Sequence, residues 1–322
     1  MKAYLDIVRR VLNEGKPKVP VRMVDGKATP VDGGVKTIGL PNVVFSHDMS
    51  EGFPLLTSKK MAIKSTLVEL EGFINGVTDK RWYQERGCKF WDSWANPQVV
   101  EERLEDYNSP FGGSVDYNSP IAKEIKKEEN DLGAIYGWNW RHFDQHYGDE
   151  PYNEDWHEQS NGVKEGADQL LDIVATLHTN YNDRRMVCSA WNPNQLHLQA
   201  LPPCHLLWIV SVYDGKLNLS WTQRSVDVPL GLPTNIASYA TLLLLLANEA
   251  GLKPGNLMGS LIDCHIYENQ IDSAYVQLER DPRPLPTLQL THERGIFNWT
   301  HKDVHLSGYD PHPKLSFGDV VV

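Results

Sequence analysis

Apolar positions along the chain predict four helices. In residues 4–12, 65–74, 168–177 and 236–250, apolar side chains recur at helical spacing. The first and third segments have a single apolar face, whereas residues 65–74 are largely apolar. Residues 236–250 are apolar around most of the helical surface, which predicts a central buried helix that ends at Gly251.

A turn signal between two strand-like runs predicts a β-hairpin. Asp214-Gly215 is typical of a two-residue type I′ turn, and it separates residues 205–212 from residues 216–223. The outgoing strand follows Leu201-Pro202-Pro203-Cys204, and the return strand leads to Arg224, Ser225 and Asp227. A hairpin therefore brings a cysteine and an arginine onto neighbouring strands.

Other segments carry weaker patterns. Residues 43–45 indicate a short strand, and residues 16–36 are rich in Pro, Gly and Asp, which predicts a loop. Residues 95–130 and 145–166 are rich in turn residues, and the motif DYNSP occurs twice in the first of them. We interpret both as surface insertions within a single domain that spans residues 1–322.

Composition narrows the possible functions. The chain of 322 residues is 41% hydrophobic, which is enough for a sizeable core. Its net charge of −11 argues against nonspecific binding to DNA or to anionic membranes. An anionic substrate would therefore need a local cluster of arginines.

Cysteine spacing and hydropathy indicate a cytoplasmic protein without a metal. The cysteines Cys88, Cys188, Cys204 and Cys264 are scattered, with neither a CxxC pair nor a zinc-ligand spacing, which suits a reducing compartment. Residues 1–15 are charged and amphipathic, unlike a signal peptide, and no apolar run is long enough for a bilayer.

Cys204 has two readings. A free cysteine is usually a small buried hydrophobe, but a thiolate stabilised by a guanidinium is a nucleophile. His205 is a poor base for it, because successive side chains of a strand point to opposite faces. A regular hairpin register places Ser225 opposite Cys204, so Arg224 can serve the thiol only if a β-bulge shifts the register.

Many ordered motifs resemble those of the thymidylate synthase family. They are residues 51–57 (EGFPLLT), 131–133 (DLG) with Tyr136-Gly137, 183–185 (DRR), 189–192 (SAWN), 201–205 (LPPCH), 223–227 (QRSVD), 231–239 (GLPTNIASY), 282–286 (PRPLP) and 308–313 (GYDPHP), with Asp263, His265 and Tyr267. The resemblance covers most of the chain. It implies an α+β fold: a mixed, mostly antiparallel sheet with flanking helices and a buried central helix.

The resemblance also implies a reaction. Cys204 would add to C6 of dUMP, and 5,10-methylenetetrahydrofolate would supply the one-carbon unit as co-substrate, without a metal. Reductive methylation would give dTMP, whereas capture of water would give 5-hydroxymethyl-dUMP. The catalytic residues implied are Cys204, Glu69, Tyr136, Arg224, Asn235 and Asp227.

Binding residues are implied in the same way. The substrate would contact Arg22, Arg184, Arg185, Gln223, Ser225, His265 and Tyr267, and the folate would contact Trp91, Trp94, Asp227, Leu230, Gly231 and Val322. Arg184 and Arg185 would act at the phosphate of the neighbouring subunit, which implies a homodimer. Arg22 lies in a loop that departs from the family pattern, and a solvated arginine is an alternative reading of it.

Two acidic residues of the second helix are treated differently. Glu69 would organise proton transfer at the base, whereas Glu71 is about 200° around the helix from it and is expected on a solvated or interfacial face. Gly72 lies on the Glu69 face and could leave space there. Such space would favour the capture of water that gives the hydroxymethyl product. Thr234 and Ile262, which stand where the family usually has other residues, would act in the same direction.

Three functions follow from these patterns. The first is thymidylate synthase, and the second is a dUMP hydroxymethylase of the same family. The third is a noncatalytic relative that binds nucleotide or RNA. The presence of Cys204, Arg224, Asp227 and Asn235 argues against the third.

Overall fold

A computed structural model describes residues 1–24, 27–30, 34–108, 119–148, 166–291 and 295–318, without the side chains of residues 22–30, 107 and 108. Its strands are β1 Lys16–Lys18, β2 Val21–Val24, β3 Lys27–Pro30, β4 Thr37–Asp48, β5 Val187–Ser189, β6 His205–Tyr213, β7 Lys216–Gln223, β8 Val226–Asp227, β9 Lys253–Tyr267, β10 Thr287–Leu290 and β11 Val304–Ser307. Its helices are α1 Lys2–Glu14, α2 Ile63–Ile74, α3 Lys80–Glu85, α4 Pro97–Asn108, α5 Pro120–Glu128, α6 Tyr136–Arg141, α7 Gln169–Thr179, α8 Gly231–Glu249 and α9 Ile271–Leu278.

A seven-stranded sheet organises the molecule. Its order is β1-β4-β9-β7-β6-β5, and β8 pairs with the end of β9. The β1–β4, β4–β9, β6–β7 and β5–β6 pairs are antiparallel, and only β7 and β8 run parallel to β9. The expected mixed, mostly antiparallel sheet is therefore confirmed.

One face of this sheet is buried under helices. Helix α8 packs on β7 and β9, and most of its residues are buried, as the apolar pattern predicts. Helix α2 lies against α8 in turn. The opposite face of the sheet carries an exposed apolar set: Val44, Val187, Ile209, Met258 and Ile262.

The prediction of a loop over residues 16–36 is wrong, because β1, β2 and β3 lie in that range. Strand β1 is fully exposed at the edge of the sheet, so it shows no alternation of apolar and polar residues. The short strand expected at residues 43–45 is the middle of the longer β4. The sequence pattern did not predict its ends, because they are polar or contain glycine and proline.

The first segment expected to be an insertion contains a small helical unit. Helices α4 and α5 enclose a separate apolar cluster of Ala95, Val100, Leu104, Ala122 and Ile125. Lys80 is buried beside it, where its ammonium group donates to the carbonyl oxygens of Trp94 at 3.3 Å and of Lys126. Most of the second segment expected to be an insertion, residues 149–165, lies outside the described residues.

Within these described ranges, no helix is long and apolar enough to cross a membrane. The same part of the chain holds no cluster of three or more His, Cys, Asp or Glu side chains suited to a metal ion.

Candidate active site

A β-bulge sets the position of Cys204 opposite Arg224. The turn has positive φ at Asp214 (51°) and Gly215 (70°), which confirms the predicted hairpin. From Tyr213 to Leu207 the pairing with β7 is regular, but His205 pairs with Gln223, so the register shifts at Leu206. The backbone N–H of Arg224 then donates to the Cys204 carbonyl at 2.8 Å. The bulge that the sequence required is therefore present.

The guanidinium of Arg224 is fixed against the residues that precede Cys204. It donates to the carbonyl oxygens of Pro202 at 2.8 Å and Pro203 at 2.9 Å, and it lies 5.6 Å from the centre of the Trp191 ring. These contacts hold a positive charge beside the half-buried Cys204 segment. A nearby cation favours the thiolate form of a cysteine.

Tyr136 and His205 support Cys204 from the protein side. The Cys204 backbone N–H donates to the Tyr136 hydroxyl at 2.7 Å, and the Tyr136 ring stacks on His205 at 4.1 Å. His205 Nδ1 lies 2.8 Å from the Tyr239 hydroxyl, and burial lowers the pKa of His205 to about 3. His205 is therefore neutral and engaged with Tyr239, in line with its expected unsuitability as a base for Cys204.

Glu69 is a carboxyl group with a neutral-range pKa. Burial raises its pKa to about 7, and the Trp91 indole partly offsets that rise. The buried Trp91 Nε1 makes no hydrogen bond of normal geometry within the described residues. Burial is therefore the main cause of the raised Glu69 pKa. The residue keeps some accessible surface. A carboxyl group with this pKa can both accept and donate a proton near pH 7.

The space expected at Gly72 is filled by Tyr83. A Cβ atom on Gly72 would lie 2.3 Å from Tyr83 Cε1, and the Tyr83 side chain is fully buried. The Tyr83 hydroxyl donates to the Val77 carbonyl at 3.0 Å, which holds the ring in place. Gly72 therefore makes room for a phenol ring, and the expectation that it leaves space beside Glu69 is wrong.

Glu71 is buried, which contradicts its expected place on a solvated or interfacial face. It is 6% exposed, and its Oε2 accepts from both the backbone N–H and Nδ1 of His301, each at 2.7 Å. Helical spacing correctly predicted that Glu71 and Glu69 lie on different sides of the helix. It could not show that a segment 230 positions later covers that side of the helix.

Asp227 and Lys59 lie close enough at the start of α8 for their charges to influence each other. Asp227 accepts from the Leu230 N–H at 3.0 Å and from Gln270 Nε2 at 3.3 Å, and burial raises its pKa. Burial lowers the pKa of Lys59 to about 8, while the Asp227 charge partly restores it. The Lys59 ammonium donates to the Pro229 carbonyl and lies 4.4 Å from the Phe317 ring. Sequence reasoning missed Lys59; its place within an apolar segment, FPLLTSKK, was the available signal.

Polar side chains from β9 lie next to Asp227. His265 is the pairing partner of Asp227 across β8 and β9, and its ring is 5.3 Å from that of Tyr267. His265 Nδ1 lies 3.1 Å from the Asp263 carbonyl. The structure thus brings together the two residues expected at the sugar and the expected catalytic aspartate.

Asn235 lies one turn into α8, and its amide contacts Gln223. Gln223 Nε2 donates to Asn235 Oδ1 and to the Ser225 carbonyl, both at 3.1 Å. Gly231 opens the helix, with the Asp227 Cβ 3.6 Å from the position of an added Cβ. One end of the hairpin therefore holds Asn235, Gln223, Ser225 and Gly231.

The remaining predicted site residues lie at the surface, beside the core or outside the described residues. Arg184 and Arg185 are exposed just before β5, and Arg185 pairs with Asp183 at 2.7 Å. The backbone of Arg22 lies in β2 opposite Thr29, but its side chain is outside the described residues, as is Val322. Trp94 is partly buried beside the main core.

The whole-chain comparison agrees with this geometry. Residues 2–321 match the family model described as thymidylate synthase. The match spans nearly every element described above, including the Cys204 hairpin and α8. By this match the chain belongs to the thymidylate synthase family.

Proposed function

We propose that this chain reductively methylates dUMP to dTMP with 5,10-methylenetetrahydrofolate. Family membership supports the coarser activity of a folate-dependent one-carbon transferase that acts on dUMP. The observation that carries methylation over hydroxymethylation is Tyr83, because its ring fills the space that Gly72 leaves beside Glu69. Hydride transfer needs water to be excluded from the reacting carbon, and a filled space provides that.

The nucleophile is Cys204 in this proposal. Its Sγ forms a bond to C6 of the uracil ring, and the electrons of the C5–C6 double bond move toward C5 and O4. The cation of Arg224 next to the Cys204 segment favours the thiolate that begins this step. When the C5 substituent is complete, the Sγ–C6 bond breaks and the thiolate is restored.

Glu69 handles the proton at C5. Its pKa of about 7 lets it take up a proton, directly or through water, and return it within one turnover. Tyr136 positions the Cys204 backbone through its hydroxyl, and its ring shares the region around Glu69. Asn235 binds the uracil ring, and His265 and Tyr267 bind the sugar.

The residues around Glu69 and Asp227 fit a folate. Trp91 offers an aromatic face and a buried N–H that has no partner within the described residues, while Asp227, Leu230 and Gly231 add polar and apolar contacts at the start of α8. Lys59 supplies a cation beside them. Folate, when bound, supplies the one-carbon unit and a hydride.

Product analysis tests the proposal, and Tyr83 provides a graded variant. With dUMP and methylenetetrahydrofolate, we expect dTMP and a rise in near-ultraviolet absorbance from dihydrofolate. Replacing Tyr83 with Ala opens the space at Gly72, so we expect part of the product to become 5-hydroxymethyl-dUMP. Tyr83→Phe keeps the ring and serves as the matched control, with dTMP as its product. A wild-type enzyme that consumes dUMP without the absorbance rise and forms the hydroxymethyl nucleotide would establish the hydroxymethylase instead.

We also propose that two chains pair through the open face of the sheet. That face exposes Val44, Val187, Ile209, Met258 and Ile262, and a single chain leaves Arg184 and Arg185 exposed at its β5 edge. Burying such a surface against a second copy would place these arginines near the partner's site. Arg184 and Arg185 then bind the substrate phosphate of the partner.

Complementation tests the shared site. Cys204→Ser and Arg184→Ala chains, each inactive alone, are unfolded, mixed in equal amounts and refolded. Random pairing should restore about a quarter of the wild-type sites, because each mixed dimer has one intact site. Introducing Met258→Asp into both chains should block pairing and the recovery of activity. Sedimentation of a fully active monomer would rule out the shared site.

A further inference from the structure

We infer that Trp221 sets the orientation of the Asn235 amide and thereby gives the site its preference for uracil. Trp221 is a positioning residue in this inference, since it acts on the base only through Gln223 and Asn235. The inference rests on the proposed role of Asn235 as the residue that binds the base. It adds a determinant of base choice that lies three hydrogen bonds away from the base, through Gln223 and Asn235.

The first step is the direction of the Gln223 amide. Trp221 Nε1 lies 3.2 Å from one terminal atom of Gln223, and an indole nitrogen can only donate. That Gln223 atom must therefore be the oxygen Oε1. The Gln223 nitrogen then faces the Ser225 carbonyl at 3.1 Å, and a carbonyl can only accept. Two independent groups thus assign the same orientation.

The second step transfers this orientation to Asn235. One N–H of Gln223 Nε2 is used by the Ser225 carbonyl, and the other points at Asn235, 3.1 Å away. The Asn235 atom that receives it must be Oδ1. Its amide nitrogen Nδ2 is consequently on the side away from Gln223. A reversed Asn235 would set two N–H groups against each other.

The third step is the match to a base. Uracil presents the acceptor O4 beside the donor N3–H, so it needs a donor next to an acceptor. Asn235 in its fixed orientation offers Nδ2 as the donor and the second lone pair of Oδ1 as the acceptor. Cytosine presents the reverse order and would require both amides to turn over, against the indole N–H and the Ser225 carbonyl.

Burial of Trp221 and Gln223 raises the free-energy cost of reversing the Gln223 amide. Trp221 is 1% exposed and Gln223 is 2% exposed, so solvent water cannot replace a hydrogen bond lost on reversal. The indole is itself held by the Tyr239 ring, which stacks on it at 5.1 Å. Gly259 makes room for it, since an added Cβ there would lie 2.5 Å from Trp221 Cζ2.

Binding of dUMP and dCMP to the full-length enzyme without folate tests the inference. Trp221→Phe removes the N–H, and we expect the ratio of the dCMP to the dUMP dissociation constant to fall by about tenfold, the order of one lost hydrogen bond. Trp208→Phe is the matched control, because Trp208 is fully buried and its Nε1 has no partner within the described residues. Its ratio should match that of wild type. Asn235→Asp is the positive control and should also shift binding toward dCMP.

A second variant separates the N–H from the shape of the ring. Site-specific replacement of Trp221 by 3-benzothienylalanine keeps the bicyclic ring and removes only the donor, and it should lower the ratio as Trp221→Phe does. An unchanged ratio in this variant overturns the inference while leaving the proposed function intact. A wild-type enzyme that binds dCMP as well as dUMP would instead overturn the proposed base specificity, and the inference with it.

Discussion

Replacement of Cys204 by Ser should reduce kcat by at least about 10⁴-fold, because a serine hydroxyl is far less nucleophilic than a thiolate at neutral pH. The Arg224 guanidinium that favours ionisation of a thiol cannot bring a hydroxyl group into its ionised range. The fold should persist, since Cys204 is only half-buried and serine is close to it in size. Turnover and the melting temperature are the two measurements.

A second cysteine supplies the control for this substitution. Cys264 is fully buried in β9, and Cys264→Ala should keep near wild-type turnover with a modest loss of stability. Intact-mass analysis of the enzyme quenched in acid during turnover should show a covalent nucleotide adduct for wild type and for Cys264→Ala, but none for Cys204→Ser. Near wild-type turnover by Cys204→Ser would sink the assignment of Cys204 as the nucleophile.

Replacement of Glu69 by Gln should reduce kcat by about 10²–10⁴-fold, the usual contribution of a general acid–base group. A glutamine keeps the size and hydrogen-bonding reach of the side chain but cannot carry the proton. Proton release from C5 of dUMP, followed with tritium at that position, should fall in the same proportion. Unimpaired release would show that another group removes the proton.

The raised pKa of Glu69 also has a consequence for stability. Between its ordinary value of 4.5 and its folded value of about 7, the folded protein binds more protons at this site than the unfolded chain does. The contribution of Glu69 to the free energy of unfolding therefore falls as pH rises through this range. Glu69→Gln removes that dependence, so the variant should gain stability relative to wild type from pH 4.5 to 7.

Melting temperatures across that pH range test the linkage. The control is Glu85→Gln, whose carboxylate is 73% exposed at the end of α3, and its melting temperature should follow that of wild type. A constant difference between wild type and Glu69→Gln at all pH values would show that Glu69 titrates alike in the folded and unfolded states.

Local patterns predicted much of this fold and of its site. Helices α1, α7 and α8 follow from apolar periodicity, and the hairpin follows from Asp214-Gly215, because these signals lie within the segment they describe. The sequence also predicted that pairing Cys204 with Arg224 requires a bulge, because the register can be counted from the turn along both strands. Whether the chain meets that condition depends on a bulge that no local signal marks.

Contacts between distant segments account for what the sequence could not show. Glu71 was misplaced because its partner, His301, comes from the far end of the chain. Gly72 indicated a space, but the filling or vacancy of that space depends on Tyr83, which belongs to another helix. Lys59 escaped notice because its significance arises only beside Asp227.

The pairing of β4 with β9 joins the two ends of the chain, with Thr37 opposite Tyr267. During synthesis β4 leaves the ribosome early, and β9, with which it pairs over a long register, is made after most of the protein. An unpaired strand with buried-type residues such as Val43 and Phe45 is a template for association with other chains. The nascent protein therefore passes through a long interval in which a chaperone that shields extended apolar segments would raise its yield.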